Sequence, residues 1–206
     1  IGISGIPFRI LSTGAARWVA DTWVALLRFY VRRHQLRATD AELAEVAAYD
    51  DLFARTDRER REKKLLELDY RLRDASLPPA ERERLGRFHQ VLTRLAQHEA
   101  AVDRGEADAQ PQADRSEIVE FWKANVDLYR RYGGVVTVMP FGHFAYGARL
   151  AWLAEAEASG EIVYSDAATR EAFLAAVRVP GPAVPSGAED FTPYWRRPIP
   201  PSYFAD

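Results

Sequence analysis

The chain contains no cysteine among its 206 residues. This absence excludes a disulfide framework, a cysteine nucleophile, a thiolate zinc site and an iron–sulfur cluster. It is compatible with an exported protein, in which stray disulfides are a hazard, although a cytosolic protein can also lack cysteine. A periplasmic or otherwise exported location is therefore favoured without being required.

An excess of charge of either sign is also missing. The 28 basic and 30 acidic side chains leave a net charge of −2, which argues against a dedicated nucleic-acid binder. A transmembrane helix needs a run of about 18 apolar residues, and no such run occurs. The sequence thus predicts a globular domain without a transmembrane segment.

The familiar catalytic motifs are absent as well. The chain has no G-x-S-x-G, no phosphate-binding glycine loop, no H-E-x-x-H and no E-x-x-H pair. These patterns place a nucleophile, a phosphate cradle or two metal ligands on one local element. Their absence predicts no catalytic residue and no cofactor.

The strongest positive signal is helical periodicity. Residues 15–34 form an amphipathic pattern whose apolar face carries Trp18, Trp23 and Tyr30. A helix in a protein core is the simplest interpretation, and a helix lying on a membrane surface is the alternative. Association with a membrane surface therefore stays open.

The periodicity continues through most of the chain. Thr39-Asp40-Ala41-Glu42 has the spacing of a capping box, and it predicts a helix over 40–54. Further helices are predicted over 58–75 after a Thr56 or Asp57 cap, from Pro78-Pro79 to 103, after Ser116, over 145–158, and from an Asp166 cap to 177. Strands are predicted near 134–139 and 161–165.

These elements predict a mainly α fold of six to seven amphipathic helices with a short β element. We expect a helical domain over 1–132, a small α+β extension over 133–178 packed on it, and an extended arm over 179–206. The arm holds seven of the twelve prolines together with five large aromatic residues. Because proline opposes regular structure and aromatics favour burial, we expect the arm to be irregular and to bury Trp195 with at least one of Tyr194, Tyr203 and Phe204.

Several predicted helices place a polar residue within their apolar stripe. His34, Asp69, Glu99 and Asn125 occupy such positions, and Asp69 and Glu99 are expected to be mostly buried and paired. If they meet, His34, Asp69 and Glu99 would form a metal site or an acid–base pair. Alternatively, each carboxylate pairs with an arginine. The turn from Phe141 to Gly147, with His143, is a further candidate site.

Two segments carry a resemblance to a known family. Residues 31–43, with Thr39-Asp40-Ala41-Glu42, and residues 116–129, just before Val135–Met139, resemble the corresponding junctions of SurA/parvulin-type peptidyl-prolyl isomerase chaperones. The isomerase signature turns of that family are absent, so no catalytic residue carries over. The resemblance implies an exported helical module that binds other polypeptides.

The sequence as a whole predicts a non-catalytic module that holds another protein or an unfolded polypeptide, as a chaperone-like or accessory subunit. Large aromatics dominate the energetics of protein interfaces. The predicted binding residues are Trp18, Trp23, Tyr30, Tyr194 and Trp195. An enzyme that uses the inward polar residues is the alternative from another class.

Overall fold

The fold is mainly α-helical, as predicted. A computed structural model describes residues 7–12, 17–107, 114–139 and 142–199. Its helices are α1 (Trp18–Arg33), α2 (Asp40–Leu72), α3 (Pro79–Asp103), α4 (Arg115–Tyr132), α5 (Tyr146–Ala158) and α6 (Ala167–Val177). Its strands are β1 (Phe8–Ile10), β2 (Thr137–Met139), β3 (Gly142–Phe144) and β4 (Ile162–Tyr164). In the part of the chain that is described, no helix is long and apolar enough to cross a membrane.

The chain folds into two compact units. The first comprises the described residues up to Leu43 and those from Asp114 to Arg197, and the second comprises 44–107 with Pro198 and Ile199. The predicted boundary at residue 132 does not coincide with a boundary between these units. The physical reason is that α1 and α4 share one hydrophobic core with the elements after residue 133, whereas α2 and α3 pack on each other.

The first unit is built around α1, α4 and α5. Leu26 and Tyr30 of α1, Leu128 of α4 and Trp152 of α5 are buried in one core, which Phe173 of α6 completes. The apolar face of α1 is therefore packed against other elements, as expected for a helix in a protein core. Residues 13–16, where the predicted helix 15–34 begins, lie outside the described residues.

Two small sheets accompany this core. Strand β1 pairs in parallel with β4, in the register Phe8↔Ile162 and Ile10↔Tyr164. Strands β2 and β3 pair antiparallel. The sequence predicted β2 and β4, which lie in runs of β-branched and aromatic residues. It did not predict β1 or β3, which contain an arginine and a glycine with a histidine, respectively.

Two of the three predicted caps in the first unit are confirmed. The Thr39 hydroxyl accepts from the Glu42 amide at 3.3 Å, and the Glu42 carboxylate accepts from the Thr39 amide at 2.8 Å. Asp166 accepts from the Thr169 amide at 2.7 Å at the start of α6. The cap of α4 is Asp114 rather than the predicted Ser116, whose amide donates to Asp114 at 2.9 Å.

α2, of which all but the first four residues belong to the second unit, is one continuous helix of 33 residues. Two helices over 40–54 and 58–75 were predicted there. The predicted break fails because Thr56 does not cap a new helix. Its hydroxyl instead donates to the Leu52 carbonyl at 2.8 Å, one turn back in the same helix. Leu68 of α2 packs with Leu85 and Leu92 of α3.

The arm after residue 178 is less irregular than predicted. Ala183 forms an antiparallel bridge with Thr137, flanked by hydrogen bonds from Val184 N to Val136 O at 2.8 Å and from Val138 N to Pro182 O at 2.9 Å. Proline is compatible with this edge because Pro182 only has to accept a hydrogen bond. A 3₁₀ turn then covers Tyr194–Arg196. Tyr203 and Phe204 lie outside the described residues.

Candidate functional site

The aromatic residues predicted to bind a partner are used largely for internal packing. Tyr30 and Trp195 are buried, as was predicted for Trp195. Trp18 and Trp23 are half-buried and both contact Phe173. Tyr194 is half-buried and packs edge-on against Trp195. A core and an interface select the same large aromatic residues, so this packing leaves the prediction that they bind a partner untested.

The predicted carboxylates of the metal site do not meet. Asp69 is not buried as expected: its side chain is 49% exposed and lies 3.0 Å from His89 Nε2. Glu99 is only partly buried, and its carboxylate lies 2.7 Å from the Arg61 guanidinium. This is the pairing with an arginine that the sequence offered as the alternative to a metal site. Because α2 and α3 run antiparallel, the separation of ten positions from His89 to Glu99 places the two pairs about 15 Å apart along the helices.

His34 lies in the first unit, in a different set of contacts. Its ring packs on Tyr30 with the ring centroids 4.2 Å apart, and burial is the main cause that lowers its pKa below the ordinary value. Tyr30 donates to Asp127 at 2.6 Å, and Arg131 donates to the same carboxylate at 2.7 Å. Across the described residues, no group of three or more histidine, aspartate or glutamate side chains is arranged to hold a metal ion.

Asn125 and His143 are brought together, although not as a catalytic pair. The Asn125 amide donates to the His143 carbonyl at 2.9 Å and accepts from the Ala145 amide at 2.9 Å. The His143 ring accepts from the Asp190 amide at 2.7 Å. These contacts fix the turn between β3 and α5. Phe141, the first residue of the predicted site segment, lies outside the described residues.

Sequence reasoning missed two buried arginines. Arg61 lies between Asp57 and Glu99 in the second unit. Its spacing of four, three and four residues to Leu65, Leu68 and Leu72 was the available signal. Arg149 lies in the first turns of α5, and no acidic partner appears among its described neighbours. No local signal marks Arg149, because its neighbours come from other elements.

The second unit exposes apolar side chains that the core does not use. Leu66 is 71% exposed and Tyr70 is 81% exposed, one helical turn apart on α2. We call these two residues the α2 apolar pair. Val91 and Leu95 form a similar pair on α3 and are also exposed. Neighbouring exposed positions on both helices are mostly charged, so the pairs interrupt a polar surface.

Neither a family model, a curated protein nor a solved structure matches this chain.

Proposed function

We propose that the chain holds other polypeptides without catalysis, through the apolar residues exposed on α2 and α3. The α2 apolar pair carries the proposal. Leu66 and Tyr70 are the most exposed large apolar side chains on the two helices, and adjacent exposed apolar residues mark interaction sites when they form a patch.

The shape of the two helices supports an extended binding surface. α2 has 33 residues and α3 has 25, which corresponds to about 50 Å and about 38 Å of helix. Ion pairs between the helices, such as Arg61 with Glu99 and Arg58 with Asp103, follow one another in antiparallel order. The outward residues can therefore be free of any role in holding the helices together.

The chemistry of this surface suits an unfolded or partly folded partner. It offers separate apolar contacts, among them the α2 apolar pair and the exposed Val91 and Leu95 of α3. Between these contacts lie charged side chains that keep the surface hydrated. Such a surface recognises exposed apolar side chains rather than one complementary shape. The resemblance to SurA/parvulin-type chaperones also favours binding of other polypeptides. It further favours an exported protein that acts as a chaperone or as an accessory subunit.

The proposal is tested with a double variant, Leu66→Ser/Tyr70→Ser. The probe is reduced and carboxymethylated α-lactalbumin, which stays unfolded, and binding is followed by fluorescence anisotropy of the labelled probe. Loss of one anchoring aromatic costs about 2 kcal/mol, so we expect the affinity to fall by roughly 30-fold. Both positions are exposed, so the fold should persist.

A matched control separates loss of the apolar pair from loss of helix propensity. Gln90 and Gln97 are exposed residues on α3, and Gln90→Ser/Gln97→Ser introduces the same two serines. This control should bind the probe as the parent protein does, with an unchanged circular dichroism spectrum. Equal weakening in both variants, or no binding by the parent protein, would contradict the proposal.

A further inference from the structure

The guanidinium of Arg149 is buried without a counter-charge from the part of the chain that the structure describes. Arg149 is 5% exposed, and none of the described aspartates or glutamates lies within ion-pair distance of it. Its Nε has no hydrogen-bond partner among the described residues. The polar contact that these residues do supply is a long one, from Nη2 to Asn125 Oδ1 at 3.5 Å. Buried cations are normally paired, because desolvating an isolated charge is costly.

Two aromatic rings frame this guanidinium. Its central carbon lies 3.3 Å from the centroid of the Phe144 ring and 5.3 Å from that of Trp23. These contacts stabilise the cation through the ring faces. They do not satisfy the N–H groups, which radiate in the guanidinium plane, and the Nε–H has no acceptor among the described residues. We call Trp23, Asn125, Phe144 and Arg149 the Arg149 box.

Asn125 supplies only a long contact to the guanidinium, because its side chain is held by other partners. Its Oδ1 accepts from the Ala145 amide at 2.9 Å and from Arg149 Nη2 at 3.5 Å, and its Nδ2 donates to the His143 carbonyl. These bonds hold β3 against the start of α5 and fix the position of Phe144. Burial lowers the pKa of the Arg149 guanidinium well below its ordinary value, which is consistent with a cation that lacks a partner.

We propose that the Arg149 box binds a carboxylate carried on an apolar stem. The guanidinium fork matches the two oxygens of a planar carboxylate. A single cation among apolar walls suits a monoanion better than a phosphate dianion, whose second charge would stay unpaired. Trp23 and Phe144 are both half-buried, so the box lies next to the surface on their side, where the stem would leave.

The direct test uses hexanoate as the probe and hexanamide as its neutral analogue. All five tryptophans, including Trp23, belong to the first unit, so thermal unfolding followed by tryptophan fluorescence reports on the unit that contains the box. A ligand that binds only the folded state raises the melting temperature. We expect hexanoate to raise it by about 3 °C or more, and hexanamide to leave it unchanged.

Two variants assign the effect to Arg149. In Arg149→Met the hexanoate shift should vanish, while the unliganded protein should melt at or above the parent temperature, because an unpaired buried charge has been removed. In Arg130→Met, which removes an exposed arginine of α4, the shift should persist. A shift that survives in Arg149→Met, or that hexanamide reproduces, would overturn the proposal. So would an Arg149→Met protein that does not fold, because the guanidinium would then be structural.

A second pair of probes distinguishes the source of the carboxylate. A short apolar peptide is compared with the same peptide amidated at its C-terminus. A shift with the free peptide alone assigns the box to polypeptide C-termini, and a shift with hexanoate alone assigns it to small acids. Absence of a shift with both carboxylates would overturn the proposal. The Leu66→Ser/Tyr70→Ser variant should keep the shift, so this test and that of the proposed function fail independently.

Discussion

A substitution at Gly147 tests the close approach between α5 and the backbone that follows α4 in the first unit. Gly147 is the second residue of α5, where the segment after α4 crosses the helix and the Gly147 amide donates to the Val135 carbonyl at 2.8 Å. A Cβ at Gly147 would lie 2.6 Å from Val135 N and 3.1 Å from the carbonyl carbon of Gly134. Both atoms belong to the backbone, so no side chain can rotate away.

The expected cost of Gly147→Ala follows from this overlap. Relieving it requires a backbone shift of roughly 1 Å, since non-bonded carbons prefer about 3.5–4.0 Å. Overpacking of this kind costs about 1–3 kcal/mol, and better helix propensity returns up to about 1 kcal/mol. We therefore expect a net loss of about 1–2 kcal/mol, which lowers the melting temperature by roughly 2–8 °C.

Gly86→Ala is the matched control, because Gly86 lies in α3 and a Cβ there meets nothing within 4 Å. It should stabilise the second unit by about 0.5–1 kcal/mol, seen by circular dichroism because that unit has no tryptophan. Gly147→Ala is followed by tryptophan fluorescence. If Gly147→Ala melts at or above the parent temperature, the close crossing at α5 is refuted.

Two further predictions concern the first unit. Trp195→Ala should destabilise this unit by about 3 kcal/mol or more, because Trp195 is buried against Trp122 with ring centroids 5.6 Å apart. Urea unfolding followed by the fluorescence of the remaining tryptophans measures this loss of stability. An unchanged unfolding midpoint would contradict the packing of Trp195. Asp166→Asn should weaken the acid dependence of the unit's stability. The hydrogen bond from the Thr169 amide is the main cause that lowers the pKa of Asp166, so its stabilisation is present above the unfolded pKa of about 3.9 and is lost as the pH falls through the folded value. Stability measured from pH 6 down to pH 2 should therefore fall less in the variant, and parallel curves would refute this role.

The helices were predictable because their signals are local. Capping residues such as Thr39 and Asp166 act within one turn, and apolar spacing sets the buried face of each helix. The predicted helix break at Thr56 is an exception. Thr56 is a plausible cap in sequence, but the same hydroxyl can donate to a carbonyl within a continuous helix, and the sequence does not distinguish these two uses.

The candidate sites were less predictable because they depend on which elements face each other. A helical wheel placed Asp69 and Glu99 near apolar stripes, but whether such a residue is buried depends on the partner helix. Arg149 shows the same limit more strongly. Its neighbours come from α1, α4 and β3, so only the folded chain reveals that it lacks an acidic partner.

The proposed function requires that α2 and α3 hold an unfolded polypeptide through their exposed apolar residues. The most direct measurement is photo-crosslinking with benzoylphenylalanine at one position at a time, in the presence of labelled carboxymethylated α-lactalbumin. Position 70 lies in the α2 apolar pair, position 97 is an exposed polar control on α3, and position 18 lies on the surface predicted from the sequence alone. We predict strong adducts for Tyr70→benzoylphenylalanine and weak ones for the variants at Gln97 and Trp18. Adducts that form equally at all three positions, or mainly at position 18, would contradict the claim.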